Sequence, residues 1–335
     1  MKDGAYAAGL RQELGTRSRA WARGRAHVES YGDPPVIVFA REEEQHGNFF
    51  DAAYAAIQAR PEWMRRLDKV HAQGRSLPRA ETGRKWRELD SSMSSDALLM
   101  NVFCTPGVAE SATVRGALGT HGGEPLEFGW KARVPLANGR FDRTEVDLRW
   151  GGLLIEAKLT EADFQTRTAS VVEGYRDFVA VFDREALLRV EMAAQRRKEA
   201  TEFPEEISQE FESEVDARER EPGLLPGMDA SLAAALASTA VESVAGYASY
   251  QLIRNVLAAH AAGCRFCVLH DARRPDLREA WFAVMQAVRP AELRVRLGMM
   301  TWQELAALLP ESLQEFLDVK YRIRAPGRGV SPSNG

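Results

Sequence analysis

The feature that most constrains the fold is the pair Gly151-Gly152, which stands between two β-prone runs. Two glycines between segments of alternating apolar and polar residues predict a two-residue β-hairpin, because such turns need backbone angles that glycine adopts without strain. If these glycines form the loop, Trp150 faces Leu153 and Leu148 faces Ile155. The chain therefore contains a tight antiparallel hairpin at its centre.

Charged side chains follow the same register. Counting further from the turn pairs Asp147 with Glu156 and Glu145 with Lys158, so that these four side chains share one face. The opposite face is apolar and is predicted to be the core side; it carries Val146, Leu148, Ile155 and Ala157. A slip of one residue would bury every charge, so the hydrophobic pattern specifies this register.

Two directly opposed carboxylates repel each other, and one would be pushed towards protonation unless a cation neutralises them. Mg²⁺ suits such a pair because it prefers carboxylates together with water and substrate phosphate, and Mn²⁺ is the alternative ion. Lys158 could offset charge, hold a water or stabilise negative charge on a phosphate. A plain surface hairpin with a Glu145–Lys158 ion pair remains open as the alternative interpretation.

An aspartate followed, after a short gap, by Glu-Ala-Lys on an apolar strand resembles the PD-(D/E)XK nuclease superfamily. The residues that carry the likeness are Asp147 and Glu156-Ala157-Lys158. The resemblance, to a bacterial branch, implies an α/β fold: a restriction-endonuclease-like core with a central mixed β-sheet flanked by helices, and extra helical segments. The order of predicted elements is similar to that core: helix 95–104, strands 128–134, 145–150 and 153–158, helix 240–262 and strand 266–269.

The resemblance also implies roles for individual residues. Asp147, Glu156 and the carbonyl of Ala157 would bind the metal, and Lys158 would position or activate the attacking water. Further acidic or polar groups expected near the site are Glu127, Glu145, Gln251 and Asn101, with Asp96 on the first helix. Val146 stands before Asp147 where the family pattern has proline, which weakens the match only mildly.

The function implied is metal-dependent hydrolysis of phosphodiester bonds, with DNA as the expected substrate in a restriction-like or repair-like role. The alternative is a nucleic-acid-binding or protein-binding module that keeps the nuclease fold without catalysis. The net charge of −4 argues at first against nucleic acid. Basic residues are nevertheless concentrated in residues 60–90, while residues 183–221 are strongly acidic. The role of the acidic segment 202–221 stays open.

Composition breaks suggest three regions. Residues 1–90 are predicted to be mainly helical, 91–290 to form the core with a charged helical insertion at about 176–228, and 291–335 to add helices and a disordered tail. Within them, residues 162–221 are read as helical, 229–262 as one or two alanine-rich helices, and 276–288 and 301–319 as helices.

The three cysteines are too few and too unevenly spaced for a disulfide framework, so a reducing, cytoplasmic setting is expected. No segment reads as a membrane span, and a homodimer is left open. The spacing of His260, Cys264, Cys267 and His270 is compatible with zinc. However, a strand over 265–269 would point the two cysteines to opposite faces, so buried core cysteines are the favoured interpretation.

Overall fold

The computed structural model describes residues 3–30, 35–42, 44–70, 87–143, 145–193 and 243–327. Its helices are α1 (Asp3–Ala22), α2 (Asp51–Gln58), α3 (Pro61–Met64), α4 (Ser95–Phe103), α5 (Ala112–Leu118), α6 (Ala169–Val172), α7 (Phe178–Val181), α8 (Tyr250–Ala262), α9 (Pro275–Ala287), α10 (Ala291–Arg294), α11 (Trp302–Ala306) and α12 (Glu311–Tyr321). Short 3₁₀ turns occupy Arg65–Asp68 and Glu88–Asp90.

The strands are β1 (His27–Glu29), β2 (Ile37–Phe39), β3 (Leu126–Lys131), β4 (Val134–Pro135), β5 (Phe141–Asp142), β6 (Glu145–Trp150), β7 (Leu153–Ala157), β8 (Arg167–Thr168), β9 (Arg189–Ala193), β10 (Ser243–Tyr247), β11 (Arg265–His270) and β12 (Leu297–Thr301). Five of them form the central sheet in the order β12-β11-β7-β6-β3. The β3–β6 and β6–β7 pairs are antiparallel, whereas β11 runs parallel to both β7 and β12. The predicted mixed sheet is confirmed.

The central hairpin has the predicted register near its turn. Trp150 pairs with Leu153 and Leu148 pairs with Ile155. The ladder between β6 and β7 ends at that second pair, so the predicted pairings of Asp147 with Glu156 and of Glu145 with Lys158 are wrong as strand pairs. Beyond it, the Asp147 carboxylate accepts the N–H of Ala157 at 2.8 Å, because the side chain takes the place of a strand carbonyl.

Both faces of the sheet are covered. On one face, Leu148 and Ile155 share a core with Leu99 of α4, and on the other, Leu154 shares a core with Val256 of α8. The prediction of one apolar core side opposite a charged face is therefore wrong, and Val146, predicted to share a face with Leu148, belongs to the cluster on the α8 side. Since β7 lies between β6 and a parallel strand in the middle of the sheet, helices close over both sides of it, as is usual where strands run parallel.

The outer elements differ from the sequence predictions in two places. Residues 162–193, predicted as helical, form only α6 and α7 together with β8 and β9, and β10 joins these strands in a small sheet. Of the alanine-rich stretch predicted as helical over 229–262, residues 243–247 form β10 and residues 250–262 form α8, which follows Ser249 in a left-handed conformation with a φ of +58°; residues 229–242 lie outside the described residues. Residues 205–221, the most acidic stretch, lie outside the described residues.

The three predicted regions contribute to one core. Leu14 of α1, Leu99 of α4 and Leu317 of α12 belong to the same buried cluster. The helix predicted over 276–288 is confirmed as α9, while 301–319 divides into α11 and α12. Within the ranges that the structure describes, no helix is both long enough and apolar enough to cross a membrane.

The hairpin turn offers a matched test of the register. Gly151 has a φ of +57°, and a Cβ there would meet the Glu124 carboxylate, whereas a Cβ on Gly152 would meet open space. We expect Gly151→Ala to lower the free energy of unfolding by about 1–2 kcal/mol, because alanine resists the left-handed region. Gly152→Ala is the control and should change the unfolding free energy by less than about 0.5 kcal/mol in the same urea titration. Equal effects of the two substitutions would contradict this turn.

Candidate active site

Glu156 and Lys158 lie at the end of β7 in a buried setting. Glu156 is 3% exposed to solvent and Lys158 is 4% exposed, and Lys158 Nζ is 2.9 Å from Glu156 Oε1. Glu156 Oε2 accepts a hydrogen bond of 2.8 Å from Asn255 Nδ2 on α8. Both carboxylate oxygens of Glu156 are thus held by donors, as a charge removed from water requires.

Lys158 keeps its charge in spite of burial. Burial alone would lower the pKa of its amine, but the carboxylates of Glu156, Glu161 and Asp147 raise that pKa above its ordinary value. The side chain is therefore an ammonium at neutral pH, a donor of hydrogen bonds with no lone pair to accept a proton. Its chemical role is to stabilise negative charge or orient a neighbour by donation.

Asp147 completes the arrangement from β6. Its Oδ2 accepts the Ala157 N–H, which brings this carboxylate to the backbone between Glu156 and Lys158. Burial raises the pKa of Asp147 well above its usual range, and the charges of Glu156 and Asp96 raise it further, against the opposing effects of Lys158 and the Ala157 N–H. The site is short of positive charge at Asp147.

A divalent cation fits that deficit. In the part of the chain that the structure describes, no three His, Cys, Asp or Glu side chains gather around one point. Asp147 and Glu156 would therefore act with the Ala157 carbonyl, and the remaining positions would fall to water and substrate phosphate. This sparse donor set matches the way Mg²⁺ is held in phosphate-processing sites, and Mn²⁺ tolerates the same oxygen ligands.

Two cations from the segment after α3 neutralise the neighbouring carboxylates of Asp96 and Glu145. Arg66 bridges Asp96 and Glu145 at 2.7 Å each, and Lys69 lies 3.2 and 3.3 Å from the same two residues. Burial would raise the pKa of both carboxyls, but these cations lower it below the ordinary value. Asp96 and Glu145 are thus engaged in an ion-pair network beside Asp147 and have less need of a metal.

Sequence reasoning missed the specific roles of Arg66 and Lys69. Their only signal in the sequence is the basic excess of residues 60–90, which favours a solvated mixed-charge surface, with contact to phosphates as the alternative. The structure turns these two side chains inward to carboxylates that lie far along the chain, a pairing that short-range spacing does not reveal.

The other residues predicted for the site differ in whether they face Glu156. Gln251 lies one helical turn before Asn255 on α8, so it shares the helix face that meets Glu156. Glu127 is directed to Arg149 at 3.4 Å and is largely exposed. Asn101 is fully buried, and its amide bonds the backbone of Asn48, Phe50 and Ala97. These contacts give Asn101 a structural position away from the paired acids.

Hydrogen bonds that the sequence did not indicate hold the main chain at and just after Lys158. Arg274, fully buried, donates to the carbonyls of Glu161 at 2.7 Å and Ala162 at 2.9 Å and is paired with Asp276. Trp302 Nε1 donates to the Lys158 carbonyl at 3.0 Å. These contacts fix the backbone on which the ammonium is mounted.

The zinc alternative finds no support in the geometry. Cys264 and Cys267 are free, buried and assigned to different core clusters on the two sides of the sheet, as a strand predicts. His270 Nδ1 bonds the carbonyl of Asp271. The prediction of buried core cysteines is confirmed.

The comparisons with known proteins agree with this geometry. A family described as "Restriction Endonuclease associating with ARP" matches residues 16–322, most of the chain. The chain belongs to this family. Searches of the curated proteins and of the solved structures gave no match. Membership in a restriction-endonuclease family confirms the predicted resemblance, and the mixed sheet flanked by helices is the core that such a family implies.

The raised pKa of Asp147 gives this restriction-endonuclease family member a testable pH dependence. Between the ordinary carboxyl pKa of 3.8 and the raised value, the folded protein keeps a proton that the unfolded chain has lost. Wild-type stability therefore falls as pH rises through that window. Asp147→Asn removes the titration, so we expect the variant to gain in melting temperature over wild type, in EDTA, as pH rises from about 4 to 8.

Asp51→Asn is the control, because Asp51 is exposed at the start of α2 and, among the described contacts, neither bonds nor pairs with a residue of this site. Its melting temperature relative to wild type should not rise in the same way. A difference between Asp147→Asn and wild type that is constant across the pH range would contradict the charge deficit at Asp147.

Proposed function

We propose that this protein is a metal-dependent endonuclease that hydrolyses phosphodiester bonds, with DNA as its substrate. The observation that carries the proposal is the meeting of Asp147, Glu156 and Lys158 at the end of the central hairpin, in a chain of a restriction-endonuclease family. Paired carboxylates beside an ammonium suit a reaction in which negative charge grows on phosphate oxygens.

In this proposal Asp147, Glu156 and the Ala157 carbonyl hold Mg²⁺ or Mn²⁺. When bound, the ion lowers the pKa of a water and draws charge from the phosphate oxygens. Hydrogen bonds within the protein orient the two carboxylates. Asn255 orients Glu156 through the 2.8 Å hydrogen bond, and the Ala157 N–H orients Asp147.

Lys158 contributes a hydrogen-bond donor at the reacting phosphate, with its charge offset by Glu156 in the free protein. Because its pKa is raised, it acts as a donor to a water or to a phosphate oxygen rather than as a base. The Trp302 hydrogen bond to its backbone carbonyl fixes the main chain from which the ammonium extends. A preorganised donor of this kind contributes about 10²–10³-fold to the rate.

The test is cleavage of supercoiled and linear DNA with Mg²⁺, with Mn²⁺ and with EDTA. We expect cleavage only with metal, a reduction of about 100–1,000-fold in Lys158→Ala, and a comparable loss in Glu156→Gln. Glu279→Gln, an exposed charge on α9, is the matched control and should cleave like wild type. An RNA substrate in parallel shows whether the preference is for DNA.

Calorimetric titration with Mg²⁺ separates this function from a fold that has lost catalysis. We expect heat of binding in wild type that is lost in Asp147→Asn and Glu156→Gln, since both ligands are carboxylates. Unchanged cleavage activity in Lys158→Ala and Asp147→Asn would contradict the assignment of the site. Metal-independent DNA binding without cleavage would favour the inactive binding module instead.

A further inference from the structure

One face of α8 carries polar atoms that lack partners. Gln251 Oε1, Arg254 Nε and Asn255 Oδ1 are buried and form no hydrogen bond within the described part of the chain. The three residues stand at positions i, i+3 and i+4, so they share one helix face, and Asn255 directs that face to Glu156. Buried polar groups are nearly always satisfied, so three orphans in a single turn indicate a place built for something else to bind.

Among these three, Arg254 differs in carrying a charge. Its Nη2 makes one long hydrogen bond, 3.4 Å, to the carbonyl of Glu145, and its guanidinium lies 5.5 Å from the centre of the Tyr250 ring. Across the residues that the structure describes it enters no ion pair. Burial would lower the pKa of its guanidinium, but Tyr250 and Glu156 nearby raise that pKa above its ordinary value.

The other cations around the paired acids are already committed. Lys158 is paired with Glu156, and Arg66 and Lys69 are paired with Asp96 and Glu145. A substrate that is a chain of phosphates needs positive charge that is not cancelled by the protein's own carboxylates. Arg254 offers such charge beside Glu156.

A hydrogen-bonded chain of hydroxyls supports the ring under Arg254. Tyr250 Oη lies 2.9 Å from Tyr175 Oη, and Tyr175 Oη donates to Asp142 Oδ2 at 2.5 Å. Tyr175 is nearly fully buried, so the chain is anchored inside the protein. The ring face is thereby held in one orientation, and the guanidinium over it loses less freedom when it meets a ligand.

We propose that Arg254 binds the phosphate backbone of the nucleic acid at the active site, its guanidinium donating two hydrogen bonds to non-bridging oxygens of a phosphate at or next to the bond to be cleaved. This inference rests on the proposed function. A planar guanidinium matches two phosphate oxygens at once, which a lysine ammonium cannot do. The unpartnered Nε is one of the donors, and the long Nη2 contact to Glu145 is easily exchanged for the other.

The test measures binding of a fluorescein-labelled DNA duplex by anisotropy, in Mg²⁺, with every variant built on Lys158→Ala so that turnover is suppressed. We expect Arg254→Gln to weaken binding by about 10-fold or more, since a hydrogen bond to a charged group is lost. The slope of log affinity against log salt should fall in magnitude by about 1. Arg254→Lys keeps the charge without the fork and should give an intermediate loss with an unchanged slope.

Arg176→Gln is the matched control, because Arg176 is exposed and pairs only with its neighbour Asp177 in the described contacts. It should bind like the parent. Melting curves accompany every variant, and if Arg254→Gln fails to fold, Arg254→Lys carries the test alone. Binding at parent strength in both Arg254 variants would overturn the inference, as would a loss of affinity in Arg254→Gln with no change in the salt slope.

The outcomes also separate this inference from the proposed function. Cleavage by wild type together with unaltered binding in both Arg254 variants would remove the role of Arg254 and leave the nuclease in place. The wild type could instead cleave with neither Mg²⁺ nor Mn²⁺ while Arg254→Gln binds DNA more weakly and with a smaller salt slope. That result would keep the phosphate contact and remove hydrolysis. A protein that binds no nucleic acid would overturn both.

Discussion

The hydrogen bond from the Ala157 amide to the Asp147 carboxylate determines the geometry around it. Where β6 and β7 stop pairing, this bond keeps Asp147 beside the strand that carries Glu156 and Lys158, in place of a regular ladder contact. The half-buried Asp147 and the buried Glu156 are thereby held on neighbouring strands. Burial raises the pKa of Asp147, and the neighbouring charge of Glu156 raises it further.

The distribution of cations around this bond is uneven. Asp96 and Glu145 are satisfied by Arg66 and Lys69, and Glu156 is satisfied by Lys158 and Asn255. Asp147 accepts the Ala157 N–H and, among the described residues, forms no ion pair. An arrangement that stores repulsion at one carboxylate lowers stability in order to serve binding, which is the usual relation between active sites and stability.

Several features followed from local patterns in the sequence. Alternation on either side of Gly151-Gly152 predicted the hairpin and its first pairs, and the β-prone run at 265–269 predicted a core strand with its cysteines on opposite faces. The mixed sheet followed from the resemblance to the nuclease superfamily, with which the order of helices and strands agreed. These predictions succeed because strand alternation and turn chemistry depend on neighbouring residues alone.

What the sequence determined by itself was the fold class and the presence of Asp147, Glu156 and Lys158 on one hairpin. Only the tertiary structure decided how their charges are balanced: Arg66, Asn255 and Arg274 reach the site from segments distant in the chain. It also decided that the charged face is covered by α8, because β7 lies in the middle of the sheet. Burial and long-range pairing arise from packing between segments, and no local spacing of residues encodes them.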